Sequence, residues 1–222
     1  MTQVRENAIK IFDAMVSANE LCDILPDAGS VAHARRMVQA AAQFHDIADH
    51  KYVHGDLSQC GVEEELCKHF TKSVAKNIVH IMDRVSFSKE LKLRVAAKDV
   101  EEPVSFVEIL GMVGALVRDI VSDADKLEAI GERGVNRCLQ YEREKIQRVH
   151  RRVATPTELL DHLLEHAREK LLILYCRRYI RTRAGRLMAV PLHQEMVDII
   201  CEMMDDDSVE IESFRQAYSM RN

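Results

Sequence analysis

His45-Asp46-Ile47-Ala48-Asp49-His50-Lys51-Tyr52 (HDIADHKY, residues 45–52) directly follows the apolar run from Val38 to Phe44. The apolar residues before it have helical spacing, so the histidine and aspartate are predicted to lie at the end of a helix. A neutral imidazole beside a carboxylate suits a divalent cation such as Mn, Fe, Co, Zn or Mg. The stretch is therefore a candidate metal site. The alternative is an ordinary solvated helix end.

A second acidic stretch, SDADKLEAIG (residues 122–131), lies at the end of a helix predicted from Phe106 through Ile130. The apolar positions of that helix have the spacing of one buried face. Two acids beside a buried face are costly unless a positive charge satisfies them. A metal would do so, and ion pairs with Lys126 and Arg118 are the alternative.

Together the two stretches resemble the HD-domain metal-dependent phosphohydrolases, in which HDIADHKY looks like the second motif and SDADKLEAIG like the third. Three further segments resemble, in order, parts of the small bacterial branch proposed to be nucleotide pyrophosphohydrolases. They are IVHIMDRVSFSK (residues 78–89), EKLL (169–172) and TRAGRL (182–187). The resemblance covers most of the chain and is loose in its last third.

The resemblance implies that His45, Asp46 and Asp123 bind one metal ion inside a helical bundle. It favours Mn, with Mg, Co, Fe or Zn as alternatives. A divalent ion with open positions can acidify water and polarise a phosphoryl oxygen, which are the two tasks of phosphoester or phosphoanhydride hydrolysis. The expected reaction is therefore hydrolysis of a nucleotide phosphate bond.

The resemblance also gives two catalytic residues. Asp49 is expected to hydrogen-bond the attacking water or act as general base, and Lys51 to meet a phosphate as a point charge. A helix-end cap and a surface ammonium are their respective alternatives. Three weaker candidates for a supporting or substrate contact are Asp125, His80 and Lys89.

The family pattern includes a further histidine on the first helix, four residues before a valine that corresponds to Val4. Counting back from Val4 ends before Met1. His33 cannot replace it, because it lies about 18 Å from His45 along one helix. Two functions follow: an active nucleotide pyrophosphohydrolase, or a non-catalytic binding protein of the HD fold. A histidine encoded just upstream of Met1 would favour the enzyme.

Composition narrows the class of protein. The chain has 222 residues, of which 47% are hydrophobic and 30% charged, as in a soluble globular protein. A net charge of -5 argues against binding to polymeric nucleic acid but allows single nucleotides. The six cysteines form no CxxC pair, and no long apolar span is present. We expect a cytoplasmic protein with reduced thiols that does not enter a membrane, and leave a homodimer open.

Helical spacing throughout, with only eight glycines and four prolines, predicts an all-α bundle of seven to nine helices. We expect one HD-type domain over residues 1–222, with the helices of about 155–204 packed on its core. Local expectations are an N-cap at Ser30, a mobile loop over 86–103, a capping box at Thr155, a helix end at Gly185 and a final helix opened by Pro191. The expected core includes Phe12, Met15, Ala41, Phe44, Leu110, Val113, Val117, Leu163, Leu171 and Leu174.

Overall fold

A computed structural model describes residues 2–47, 61–99, 101–204 and 209–218 of the chain. The protein is 77% helix, and the described residues contain no strand, which confirms the all-α prediction. The helices are α1 (Thr2–Ser17), α2 (Ala28–Phe44), α3 (Val62–Cys67), α4 (Lys72–Met82), α5 (Phe87–Ala96), α6 (Val107–Leu127), α7 (Gly131–His150), α8 (Pro156–His166), a π-helical turn (Ala167–Leu171), α9 (Leu172–Cys176), α10 (Arg183–Met203) and α11 (Val209–Tyr218). With the unbroken run from α8 to α9 counted as one, the described ranges hold ten helices.

The chain divides into two compact units. The first consists of Met1–Asp125 and Ile180–Gly185, and the second of Lys126–Tyr179 and Arg186–Asn222. The expectation of one domain, with the C-terminal helices packed on its core, stays a prediction. No helix in the described ranges is both long and apolar enough to span a membrane.

In the first unit, α1 packs against α2, and α2 packs against α4. Asp27 is the N-cap of α2, and its side chain accepts hydrogen bonds from the backbone N–H groups of Gly29 and Ser30. The prediction of Ser30 as the cap is wrong, because Ser30 is the reciprocal partner in the Asp27 capping box. The helix then runs to Phe44 with His45 as its C-cap, which confirms that the His-Asp pair lies at a helix end.

Residues 87–96 form helix α5, so the prediction of a mobile loop over 86–103 is wrong for this segment. The inward face of α5 carries Glu90 and Arg94, both 0% exposed. The Glu90 carboxylate contacts Arg94 at 2.8 Å, Arg118 at 2.6 Å and Arg181 at 2.7 Å. Apolar periodicity cannot reveal such a helix, because ion pairs take the place of its apolar face.

Helix α6 is interrupted at Gly111, whose φ of 71° and ψ of 170° lie outside the helical region. This positive φ is a conformation that glycine adopts without a steric penalty. Beyond it the helix buries a continuous stripe that includes Val117, Val121 and Ala124. The stripe brings Ser122, Asp123 and Ala124 to the interior of the first unit.

In the second unit, residues 151–155 connect α7 to α8. The capping box at Thr155 is confirmed, with Pro156 in the first turn of α8. The predictions for Gly185 and Pro191 are wrong, since both lie inside α10. Pro191 removes a backbone donor that would serve the carbonyl of Leu187. Leu187 lies on an exposed part of the helix, with 63% of its surface accessible.

Eight of the ten predicted core residues are buried. The other two, Phe44 and Val113, are half-buried. The helix phases inferred from apolar spacing are therefore largely confirmed.

Candidate metal centre

The imidazole of His45 is held at the C-terminal end of α2 with its side chain only 2% exposed. Its Nδ1 lies 2.9 Å from the carbonyl oxygen of Ala42, so Nδ1–H donates to that carbonyl in the neutral ring. Nε2 then carries the lone pair. This buried nitrogen has no hydrogen-bond partner among the described residues, which is the state expected of an imidazole positioned to accept a metal.

Two carboxylates face this nitrogen. Asp46 Oδ1 lies 3.3 Å from His45 Nε2, and Asp125 Oδ1 lies 3.6 Å from it. The ligand atoms of the three residues all lie within 4.8 Å of one another. Separations of this size are those of ligands that share one ion at about 2.0–2.2 Å. Side-chain exposure of 54% for Asp46 and 37% for Asp125 leaves the group open to solvent on one side.

The two carboxylates of the group change the pKa of His45. Burial alone would lower the pKa of His45, but the carboxylates of Asp125 and Asp46 and the Ala42 carbonyl outweigh burial and raise this pKa above its ordinary value. The carboxylates therefore attract a positive charge to the space in front of Nε2. A proton and a metal ion compete for that nitrogen.

The predicted convergence of Asp123 with His45 and Asp46 is wrong, because among the described residues Asp125 completes the group. The Asp123 carboxylate is 0% exposed and engaged elsewhere. It accepts hydrogen bonds from the backbone N–H of Arg181 at 2.8 Å and of Thr182 at 2.7 Å, and from the Thr182 hydroxyl at 2.7 Å. Asp125, predicted only as a supporting residue, lies in the position foreseen for Asp123.

The segment that binds Asp123, residues 181 and 182, directly precedes α10. The Thr182 hydroxyl donates to Asp123 and accepts from the backbone N–H of Gly185 at 2.9 Å. A Cβ on Gly185 would lie 2.6 Å from Asp123 Oδ2 and 2.8 Å from Thr182 Oγ1. Glycine is therefore required for this close approach. Asp123, which lies two residues before Asp125 on α6, therefore holds the residues that lead into α10 against α6.

The remaining candidates are not part of the group. His80 is exposed in the last turn of α4. Lys89 is exposed on α5 and forms an ion pair with Asp83. Asp49 and Lys51 lie outside the described residues, so their catalytic roles stay predictions.

Sequence reasoning missed a buried charge network in the first unit. The guanidinium groups of Arg118 and Arg181 both contact Glu90 and Asp119, and both lie against the ring of Phe106, at 4.2 and 5.1 Å from its centroid. One signal was visible in the sequence: Arg118 interrupts an otherwise apolar run in α6. Buried arginines of this kind need acidic partners, which could have directed attention to Glu90.

In comparisons with known proteins, no family model, no curated protein and no solved structure matches this chain.

Proposed function

We propose that this protein is a metal-dependent phosphohydrolase that acts on nucleotides, with His45, Asp46 and Asp125 as the protein ligands of one divalent ion. The observation that carries the proposal is the buried Nε2 of His45, which lacks a hydrogen-bond partner among the described residues and faces two carboxylates at 3.3 and 3.6 Å. A buried polar atom without a partner is costly unless a ligand completes it.

The residues fit a divalent ion. One imidazole nitrogen and two carboxylate oxygens are a donor set suited to Mn, Fe, Co, Zn or Mg. Three protein ligands leave further positions for water and substrate. A bound ion would supply a Lewis acid that acidifies water and neutralises charge on a phosphoryl oxygen. Hydrogen bonding to Ala42 keeps His45 in the tautomer that such an ion needs.

The nucleotide substrate is proposed from the resemblance of the sequence to HD-domain phosphohydrolases. In this proposal Asp49 takes a proton from the attacking water, and Lys51 positions a phosphate of the substrate. The net charge of -5 is compatible with a single nucleotide and unfavourable for a polymeric one.

A non-catalytic, nucleotide-binding protein is the second candidate. It is favoured by one observation: α1, where the family pattern has a fourth ligand, contains no histidine in residues 2–17. Without this fourth ligand, metal affinity would be lower by at least about 10- to 100-fold, which is the typical cost of removing a residue that only hydrogen-bonds a metal ligand. Turnover then has to be tested at high metal concentration.

The decisive experiment is a panel of nucleoside mono-, di- and triphosphates assayed with Mn²⁺, Mg²⁺ and Co²⁺, with phosphate and pyrophosphate release measured separately. His45→Gln removes the buried metal-facing nitrogen. His33→Gln is the matched control, since His33 is an exposed histidine on the same helix. We expect metal-dependent turnover in the wild type and in His33→Gln, and none in His45→Gln.

Metal binding and nucleotide binding without turnover would establish the non-catalytic candidate instead. Equal metal affinity in the wild type and in His45→Gln would reject the site itself. Turnover that persists in His45→Gln would place the catalytic centre elsewhere.

A further inference from the structure

The second unit contains a pair of histidines one helical turn apart. His162 and His166 belong to the sequence HLLEH in α8. Their rings are parallel within 5°, with centroids 6.1 Å apart. Two histidines at positions i and i+4 lie on one face of a helix, an arrangement by which helices bind zinc.

A carboxylate from the neighbouring helix meets this pair. Glu142 of α7 places Oε2 3.4 Å from Nε2 of His162, and its side chain is only 10% exposed. Lys145 pairs with the same carboxylate at 3.1 Å, so a positive charge already occupies this position. A carboxylate buried beside an imidazole is a usual partner in a metal site.

The register of the two helices supplies a fourth candidate. Because α7 and α8 are in contact and joined by only residues 151–155, they form an antiparallel hairpin. Since Glu142 meets His162, the register places the residues one turn away, Cys138 on α7 and His166 on α8, opposite each other. Cys138 is buried at 8% exposure. Each helix thus contributes two metal-ligating residue types at i and i+4.

The surroundings favour a cation. The groove of about 750 Å³ beside Glu142 and His162 is lined by five carboxylates and three lysine or arginine side chains.

We propose that Cys138, Glu142, His162 and His166 form a second metal site, for a zinc-class ion, between α7 and α8. Only the group at His45 has three donor atoms within 4.8 Å of one another in the described ranges. Binding at the second site therefore requires the four side chains to move closer together, and Lys145 to leave the Glu142 carboxylate. The sulfur, nitrogen and oxygen donors are those of tetrahedral zinc sites, and the burial of Cys138 limits access by solvent.

The test uses the full chain with Asp46→Asn, which removes a ligand of the first group. Zinc bound per chain is measured by dialysis against buffered Zn²⁺. Co²⁺ is then bound in place of Zn²⁺, because a cobalt–thiolate bond gives a charge-transfer band in the near ultraviolet. The site variants are Cys138→Ser and His166→Gln. The matched controls are Cys201→Ser, a buried cysteine of the same unit, and His150→Gln, a histidine that lines the same groove.

We expect one zinc per chain and a thiolate band in the Asp46→Asn protein and in both control variants. Cys138→Ser should lose the band, and His166→Gln should lower zinc affinity by more than about 100-fold, beyond the cost of an outer-shell contact. The proposal is overturned if Cys138→Ser keeps the band, if no band forms, or if His150→Gln weakens binding as much as His166→Gln does. Circular dichroism of each variant verifies that the helices are retained.

Discussion

Asp123 and Asp125 lie two residues apart on α6. Replacing each of them with asparagine is expected to change a different property of the protein. The Asp123 carboxylate is fully buried and holds the residues that lead into α10. Asp125 is partly exposed and faces His45 at 3.6 Å. Asp123→Asn should therefore lower stability, whereas Asp125→Asn should lower metal affinity.

The magnitude for Asp123 follows from three hydrogen bonds that its carboxylate accepts, of 2.8, 2.7 and 2.7 Å. Asparagine keeps one acceptor oxygen and replaces the other with an NH₂ donor. A backbone N–H or a hydroxyl is then left without its acceptor, at a cost of about 1–3 kcal/mol, and the loss of charge weakens the others. We expect the free energy of unfolding to fall by about 2–4 kcal/mol in total. For a chain of this size the thermal midpoint should drop by roughly 4–16 °C.

For Asp125, an ion pair this exposed contributes about 0–1 kcal/mol to stability. Removing a metal ligand should cost more than the roughly 10- to 100-fold in affinity of an outer-shell loss. Thermal unfolding without metal and Mn²⁺ titration of both variants provide the assay. If Asp123→Asn stays as stable as the wild type but loses the metal, Asp123 is the ligand that the resemblance implied, and the structural assignment fails.

Three further outcomes are expected. Because the pKa of His45 is raised, Mn²⁺ affinity should be constant above that pKa and fall about tenfold per pH unit below it; a flat pH titration would contradict this. Glu90→Gln removes the carboxylate charge that Arg94, Arg118 and Arg181 share and should cost about 3–5 kcal/mol in urea unfolding, against less than about 0.5 kcal/mol for the exposed Glu108→Gln. Gly185→Ala places a Cβ 2.6 Å from Asp123 and should destabilise by about 1–3 kcal/mol; a stabilised variant would show that this turn relaxes freely.

Most of the fold could be predicted from the sequence, because α1, α2, α4, α6 and α8 bury apolar residues at helical spacing. Helix α5 shows where that rule fails. Its buried residues are Glu90 and Arg94, while Leu93 and Val95 are 41% and 57% exposed. A pattern that counts apolar residues finds no inward face there. The partners of Glu90 come from distant parts of the chain, so its burial depends on contacts that local sequence does not encode.

The candidate metal group also contains one part that could be predicted from the sequence and one that could not. His45 and Asp46 are adjacent in sequence, and the helix before them has a clear apolar stripe, so their shared position could be predicted. The sequence did not show which of Asp123 and Asp125 is the metal ligand. A helix turns about 100° per residue, so two residues at this spacing point about 200° apart. Both flank the stripe of α6, and apolar spacing alone favours neither as the ligand.

The two aspartates are distinguished by the backbone of residues 181 and 182, which lie 58 and 59 positions after Asp123 in the chain. Its N–H groups need an acceptor, and Asp123 is the carboxylate that faces them. Once Asp123 is engaged there, Asp125 is the acid left on the side of His45. The choice between them therefore arises from how α10 begins. A Thr182→Val variant removes the hydroxyl that donates to Asp123 and accepts from the Gly185 N–H; it should lower stability by about 1–3 kcal/mol and leave Mn²⁺ affinity unchanged. A large loss of affinity would mean that the anchoring of Asp123 also sets the position of Asp125.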